Sequence, residues 1–107
     1  MVKLALYNNE EKIALELIKG FWSAHNQIIQ SDEEALADLK VWTADKNKFY
    51  FILFENKYIG FVHLGSRGAE ADWLENIFVL PEYQRQGIGT KAIKLIEEIV
   101  KEYSVSL

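Results

Sequence analysis

Two stretches of this 107-residue chain carry side chains and spacings that could do chemistry. The first is WLENIFVL, Trp73 to Leu80, where Glu75 stands inside an apolar run. Alternation along a strand sets Trp73, Glu75, Ile77 and Val79 on one face and Leu74, Asn76, Phe78 and Leu80 on the other. Glu75 then sits among apolar neighbours, where burial disfavours its charge and raises its pKa, as suits a group that takes up a proton near neutral pH. The second stretch is PEYQRQGIGTKAIKLIEEI, Pro81 to Ile99. Here Gly87 and Gly89 open directly into a strongly periodic helix. Glycines in place of a capping serine or aspartate leave the first-turn N–H groups bare, and an anion can approach them with no Cβ in the way.

Which anion the glycines serve stays open on their spacing alone. GIGTKA, Gly87 to Ala92, formally matches the G-x-G-x-x-A form of the dinucleotide fingerprint. That motif follows its strand immediately and needs an acid about 20 residues further on, at the next strand. Here the strand ends near Leu80, and no such strand follows in the sequence. The Walker pattern fails, because no Gly-Lys-Ser/Thr follows the first glycine. A helix start with two glycines and no ligand is the remaining alternative.

The elements that must hold these residues read in order along the chain. Val2 to Leu6 is a short strand. Asn9 offers a helix cap with Glu10 and Glu11 in the first turn, and Ala14, Leu17, Ile18, Phe21 and Trp22 recur at helical spacing to about Asn26, with Gly20 weakening the helix midway. Ser31 and Glu34 form a capping box for a second helix whose stripe is Leu36, Leu39 and Trp42. FYFILF, Phe49 to Phe54, is too short and too continuously apolar for a helix and reads as a strand buried on both faces. Glu55 to Lys57 is a tight turn into a strand from Tyr58 to Leu64, where Gly60 marks a bulge or a close backbone approach. GSRGAEAD is a loop, and Trp73 to Leu80 is a strand stopped by Pro81. Ile88, Ala92, Leu95, Ile96, Ile99 and Tyr103 line one face of the last helix. SVSL at the end reads as the start of one more strand. The order β-α-α-β-β-β-α-β is an α+β layout with a mixed, mostly antiparallel sheet flanked by helices.

Composition excludes several classes. Length allows a single domain over residues 1–107. The absence of cysteine rules out disulfides, thiol nucleophiles and thiolate metal sites, and no metal is expected. A net charge of −4 argues against nucleic-acid binding, which needs a basic stripe. No apolar run is long enough to span a bilayer and no signal peptide is legible, so a cytoplasmic protein without membrane association is expected by default.

The strand WLENIFVL, the Pro-Glu-Tyr turn, Gln84, Gly87 and Gly89 before an amphipathic helix, and the upstream hairpin containing YIGFV together resemble the GNAT superfamily. Its members are acetyl-CoA-dependent N-acetyltransferases, with the signature Gln/Arg-x-x-Gly-x-Gly/Ala. The resemblance implies that the amides of Arg85, Gln86, Gly87, Ile88, Gly89 and Thr90 cradle the coenzyme pyrophosphate, with Gln84 in the same motif. Arg85 stands where many relatives carry another glycine. The backbone of Ile77, Phe78 and Val79 is implied to pair with the pantetheine arm and to polarise the thioester carbonyl. Glu75 is implied to act at the acceptor end, as a base for the amine or in binding it; the alternative is a glutamate at a strand edge touching solvent. His25 is placed to line the acceptor cleft or simply to end its helix, and His63 reads as structural or surface. Glu70 and Asp72 could draw in a cationic acceptor.

The expected function is transfer of acetyl from acetyl-CoA, as cosubstrate, to a primary amine of a small molecule or peptide by direct attack. The alternative is a GNAT-like module that binds coenzyme A or a protein without turnover. Such domains continue with a further strand, a helix and two strands, so the chain corresponds to the N-terminal portion of one. Its open sheet edge, with Ile93 and Val100 flanking the helix stripe, leads to the expectation of a homodimer.

Overall fold

A computed structural model describes residues 1–65 and 73–104 of the chain. The elements run β1 (Val2–Leu6), α1 (Glu11–Asn26), α2 (Asp32–Trp42), β2 (Lys48–Phe54), β3 (Lys57–Gly65), β4 (Trp73–Val79), a single 3-10 turn at Pro81–Tyr83, and α3 (Ile88–Ser104). The strands form one sheet in the order β1-β2-β3-β4, with all three pairings antiparallel. The expected α+β order is therefore observed through α3. The strand expected at SVSL lies largely outside the described residues.

Two apolar clusters cover the two faces of the sheet. Phe49, Phe51, Phe61 and Phe78 meet Ala14, Leu17, Ile18 and Phe21 of α1 and Ala35, Leu39 and Trp42 of α2. Ile52, Val62 and Leu64 meet Ile88, Ala92 and Ile96 of α3 on the opposite side. Strict alternation in β2 sends Phe49, Phe51 and Leu53 to one cluster and Tyr50, Ile52 and Phe54 to the other, so the strand is buried on both faces as its continuous apolar run predicts. Glu55 and Asn56 both have positive φ, 51° and 64°, as the two-residue turn of a right-twisted hairpin demands.

The glycines explain how the layers close. Both readings of Gly60 hold: β3 bulges beside it, and a Cβ there would stand 2.1 Å from the Phe78 carbonyl oxygen, so β3 and β4 approach too closely for a side chain. Gly20 does not break α1. It gives up its side chain to the Phe78 ring, whose Cε2 and Cζ lie 3.2 Å from where a Cβ would be. The cap of α1 departs from expectation. Asn9 has left-handed φ (74°) and Glu10 is the N-cap, without a side-chain bond to the helix; its carboxylate accepts instead from the Asn8 amide at 2.6 Å. The capping box at Ser31 and Glu34 is present in both directions. On α3, Val100 packs against the core and does not flank an open stripe, whereas Ile93 is exposed.

Candidate active site

β4 pairs with β3 along one edge only, and its other edge carries no strand among the described residues. The Leu80 amide donates to the Ile59 carbonyl at 2.8 Å. In the register that pairs Phe61 with Phe78 and Val62 with Ile77, alternate peptide groups then turn the same way. Phe78 and Asn76 point their N–H and C=O groups at β3, while Ile77 and Val79 point theirs outward. The three amides expected to meet one ligand are thus not equivalent. Phe78 is committed to the ladder, and its ring is buried against Phe21 and Phe61.

The loop after β4 is folded onto that outer edge. Gln84 Nε2 donates to the Val79 carbonyl at 2.8 Å, and its amide donates to Pro81 O at 3.2 Å. Gln86 Nε2 reaches Glu82 O at 3.3 Å. Gln84 therefore ties the loop to the strand by its side chain, a role its place in the motif does not reveal. Gly87 has φ of 75° and Arg85 has φ of 66°, both left-handed. That conformation is open to glycine and costs other residues about 1–2 kcal/mol, which gives a physical reason for glycine at the Arg85 position.

The two helix-start glycines serve different ends. Gly87 is required by its backbone. Gly89 has no positive φ, and a Cβ on it would meet nothing within 4 Å, so the free protein does not need glycine there. Its missing side chain leaves room over the first turn of α3, whose N–H groups find no acceptor among the described residues. Lys91 is the first amide bonded back, to Gly87 O at 3.1 Å. Ile88 is buried and anchors the turn. A cleft of about 270 Å³ opens there, lined by Val79, Tyr83, Gln84, Arg85, Gly87, Ile88, Gly89 and Thr90. Six of the seven residues expected in the phosphate loop meet in it, and Gln86 is the one outside. Bare amides, helix dipole and open space suit a phosphate.

Glu75 is placed otherwise than the alternation of β4 suggests. The register slips between His63 and Leu64: His63 pairs with Asn76 but Leu64 with Leu74, leaving Glu75 as a bulge with no cross-strand partner. The slip moves Leu74 onto the face of Leu64 and Ile77, opposite to the face expected for it. Glu75 is exposed and not enclosed by the apolar neighbours expected for it. It lies four residues before Val79, roughly 13 Å along the strand, which separates it from the phosphate cleft by about the reach of an extended arm.

His63, expected to be structural or surface, is structural. It is 5% exposed and stacks on Trp42 at 5.0 Å, and burial pushes its pKa down to about 4. Its Nε2 donates to Asn47 Oδ1 at 2.7 Å, and its Nδ1 accepts from Asn76 Nδ2 at 3.0 Å. Asn47 Nδ2 donates to Ala44 O at 2.9 Å, which fixes the amide orientation and hence the neutral tautomer. His25, in the last turn of α1, is exposed, packs its tilted ring against Phe21 at 4.7 Å and comes 6.2 Å from the Phe78 ring of β4. Glu70 and Asp72 lie outside the described residues. Among those described, no three His, Asp or Glu side chains are grouped to hold a metal, and no helix is long and apolar enough to cross a membrane.

A family model described as acetyltransferase (GNAT) family matches residues 13–107. No curated protein matches the chain. Solved structures share the fold at low identity. A GNAT family acetyltransferase from Staphylococcus aureus superposes with a TM-score of 0.75 at 18% identity, covering 95% of this chain and 79% of that one. The PaiA N-acetyltransferase of Thermoplasma acidophilum, solved with coenzyme A, gives 0.69 at 17% identity, covering 97% and 74%. An aminoglycoside antibiotic 6′-N-acetyltransferase from Acinetobacter haemolyticus gives 0.69 at 23% identity, covering 95% and 73%.

Proposed function

Since this chain belongs to the acetyltransferase (GNAT) family, we propose that it transfers acetyl from acetyl-CoA to a primary amine of a small molecule or peptide. The observation that carries the reading is the pairing of the cleft at the start of α3 with the outward amides of Ile77 and Val79 on the same strand edge. In it, the first-turn amides of α3 take the pyrophosphate, and Gly89 leaves the space for it. The pantetheine arm runs antiparallel along the outer edge of β4. The outward N–H groups there replace water along the arm and can donate to the thioester oxygen as negative charge develops on it. The coenzyme A complex of the Thermoplasma relative supports a coenzyme site on this fold.

The amine must be neutral to attack. Glu75, exposed near the start of β4, accepts its proton directly or through water. The C–N bond then forms and the C–S bond breaks, and the second proton that the amine nitrogen gives up on acylation goes to the departing thiolate, directly or through water. His25, beside Phe78, is at hand on the α1 side for the acceptor. The aminoglycoside enzyme shows one amine class used on this fold, and the acceptor here is proposed only as a primary amine. A cytoplasmic location and a homodimer are parts of the same proposal, the dimer resting on the open edge of β4 and on exposed Leu74 and Ile93.

The test is acetyl-CoA-dependent release of free thiol across a panel of amines, beside calorimetric titration of acetyl-CoA. Amine-dependent release is expected. Tight coenzyme binding with no release from any amine would favour the alternative, a binding module without turnover. Absence of binding would overturn both.

A further inference from the structure

The bulge that carries Glu75 is held from both sides. On one side, a Cβ added to Gly65 would stand 2.8 Å from Glu75 Cγ and 3.0 Å from its Oε1. Gly65 is buried in β3 and has no positive φ, so its backbone does not call for glycine. The missing side chain is the space that the glutamate occupies. On the other side, Asn76 is fixed by its bond to His63, and His63 by Asn47 and the Trp42 stack. His63 and Asn76 are also the last directly paired residues before the slip.

We propose that Gly65 and His63 are positioning residues for Glu75: His63, through Asn76, sets where the bulge falls, and Gly65 seats the side chain that the bulge releases. The inference rests on Glu75 being the base. An exposed glutamate on a regular strand would sample several rotamers, and a shift of the bulge by one residue would return it to the ladder, aimed at one face of the sheet. A base must stay within hydrogen-bond reach of the proton it takes, and a misplacement of about 1 Å lowers the rate by roughly 100-fold. Neither residue lines the phosphate cleft, so substitution of either is expected to leave the pyrophosphate site in place.

The experiment compares the full chain with Gly65→Ala, Glu75→Gln, the double variant, His63→Leu and His63→Gln. Gly65→Ala is expected to lower kcat by about 100-fold with KM for acetyl-CoA unchanged. It should add nothing to Glu75→Gln in the double variant, since both act on one group. His63→Leu should lose kcat, and His63→Gln, whose amide can meet both asparagines, should recover part of it. A readout independent of turnover is a nuclear Overhauser contact between Glu75 Hγ and Gly65 Hα in the wild type. Absence of that contact overturns the seat. Full turnover in Gly65→Ala, where Glu75→Gln is impaired, overturns positioning and leaves the base in place. Wild-type turnover in Glu75→Gln removes the base, and the positioning role with it. Should Gly65→Ala not fold, the His63 pair decides: equal rates in His63→Leu and His63→Gln overturn the proposal.

Discussion

Among single residues, His63 has the sharpest consequence for solution behaviour. In the folded protein its ring takes up a proton only near pH 4, because burial disfavours the charge, whereas in the unfolded chain it does so near its ordinary 6.5. As pH falls below 6.5 the unfolded state binds the proton first, so stability declines until about pH 4 and by no more than about 3 kcal/mol from this group. Above 6.5 the group contributes no slope. Urea unfolding at pH 7, 5.5 and 4.5 should show this decline in the wild type and a flatter profile in His63→Gln. Equal slopes would mean that the ring is solvated. Gly60 gives a second expectation. Its Cβ would meet a backbone oxygen that cannot swing aside, so Gly60→Ala should destabilise by about 3 kcal/mol, at the upper end for overpacking, measured as a lowered urea midpoint.

At the scale of elements, α3 is where stability and binding pull against each other. Gly89 stands in its first turn with open space above it, and alanine is the better helix former by up to about 1 kcal/mol. Gly89→Ala should therefore raise the melting temperature and weaken acetyl-CoA, with its methyl in the space given to the pyrophosphate. A combined thermal scan and calorimetric titration checks both signs. A variant that binds as tightly as the wild type would move the phosphate away from α3. β4 shows the complementary point. Its register slip at Glu75 divides one strand into a segment that follows simple alternation, Asn76 to Val79, and one that is shifted, Trp73 and Leu74. Only the first segment supplies the outward amides of Ile77 and Val79.

For the whole molecule, the outer edge of β4, which carries no strand among the described residues, is the feature with the widest reach. Outward N–H and C=O groups at Ile77, with exposed Leu74 nearby, make an edge on which another strand can pair. Sedimentation at micromolar concentration should show a dimer that excess acetyl-CoA loosens, because the pantetheine arm and a partner strand would claim the same edge. A monomer with or without the coenzyme would remove the dimer from the proposal.

Local spacing was enough to read the helices, the hairpin and the order of elements, and to mark the glycines at the start of α3. Periodicities of two and 3.6 residues, a capping box and the glycines at a helix start are short-range signals, each legible within a few residues. What the tertiary structure decided lies in contacts between segments distant in sequence. That Gly20 receives the Phe78 ring, that Gln84 holds an outward carbonyl of β4, and that His63 joins Asn47 to Asn76 follow from packing. The bulge at Glu75 shows the reason most plainly. Alternation assumes an unbroken ladder, and a register slip is fixed by the partner strand, through Gly65 and His63, so the sequence of β4 alone put Glu75 among apolar neighbours while pairing with β3 left it exposed.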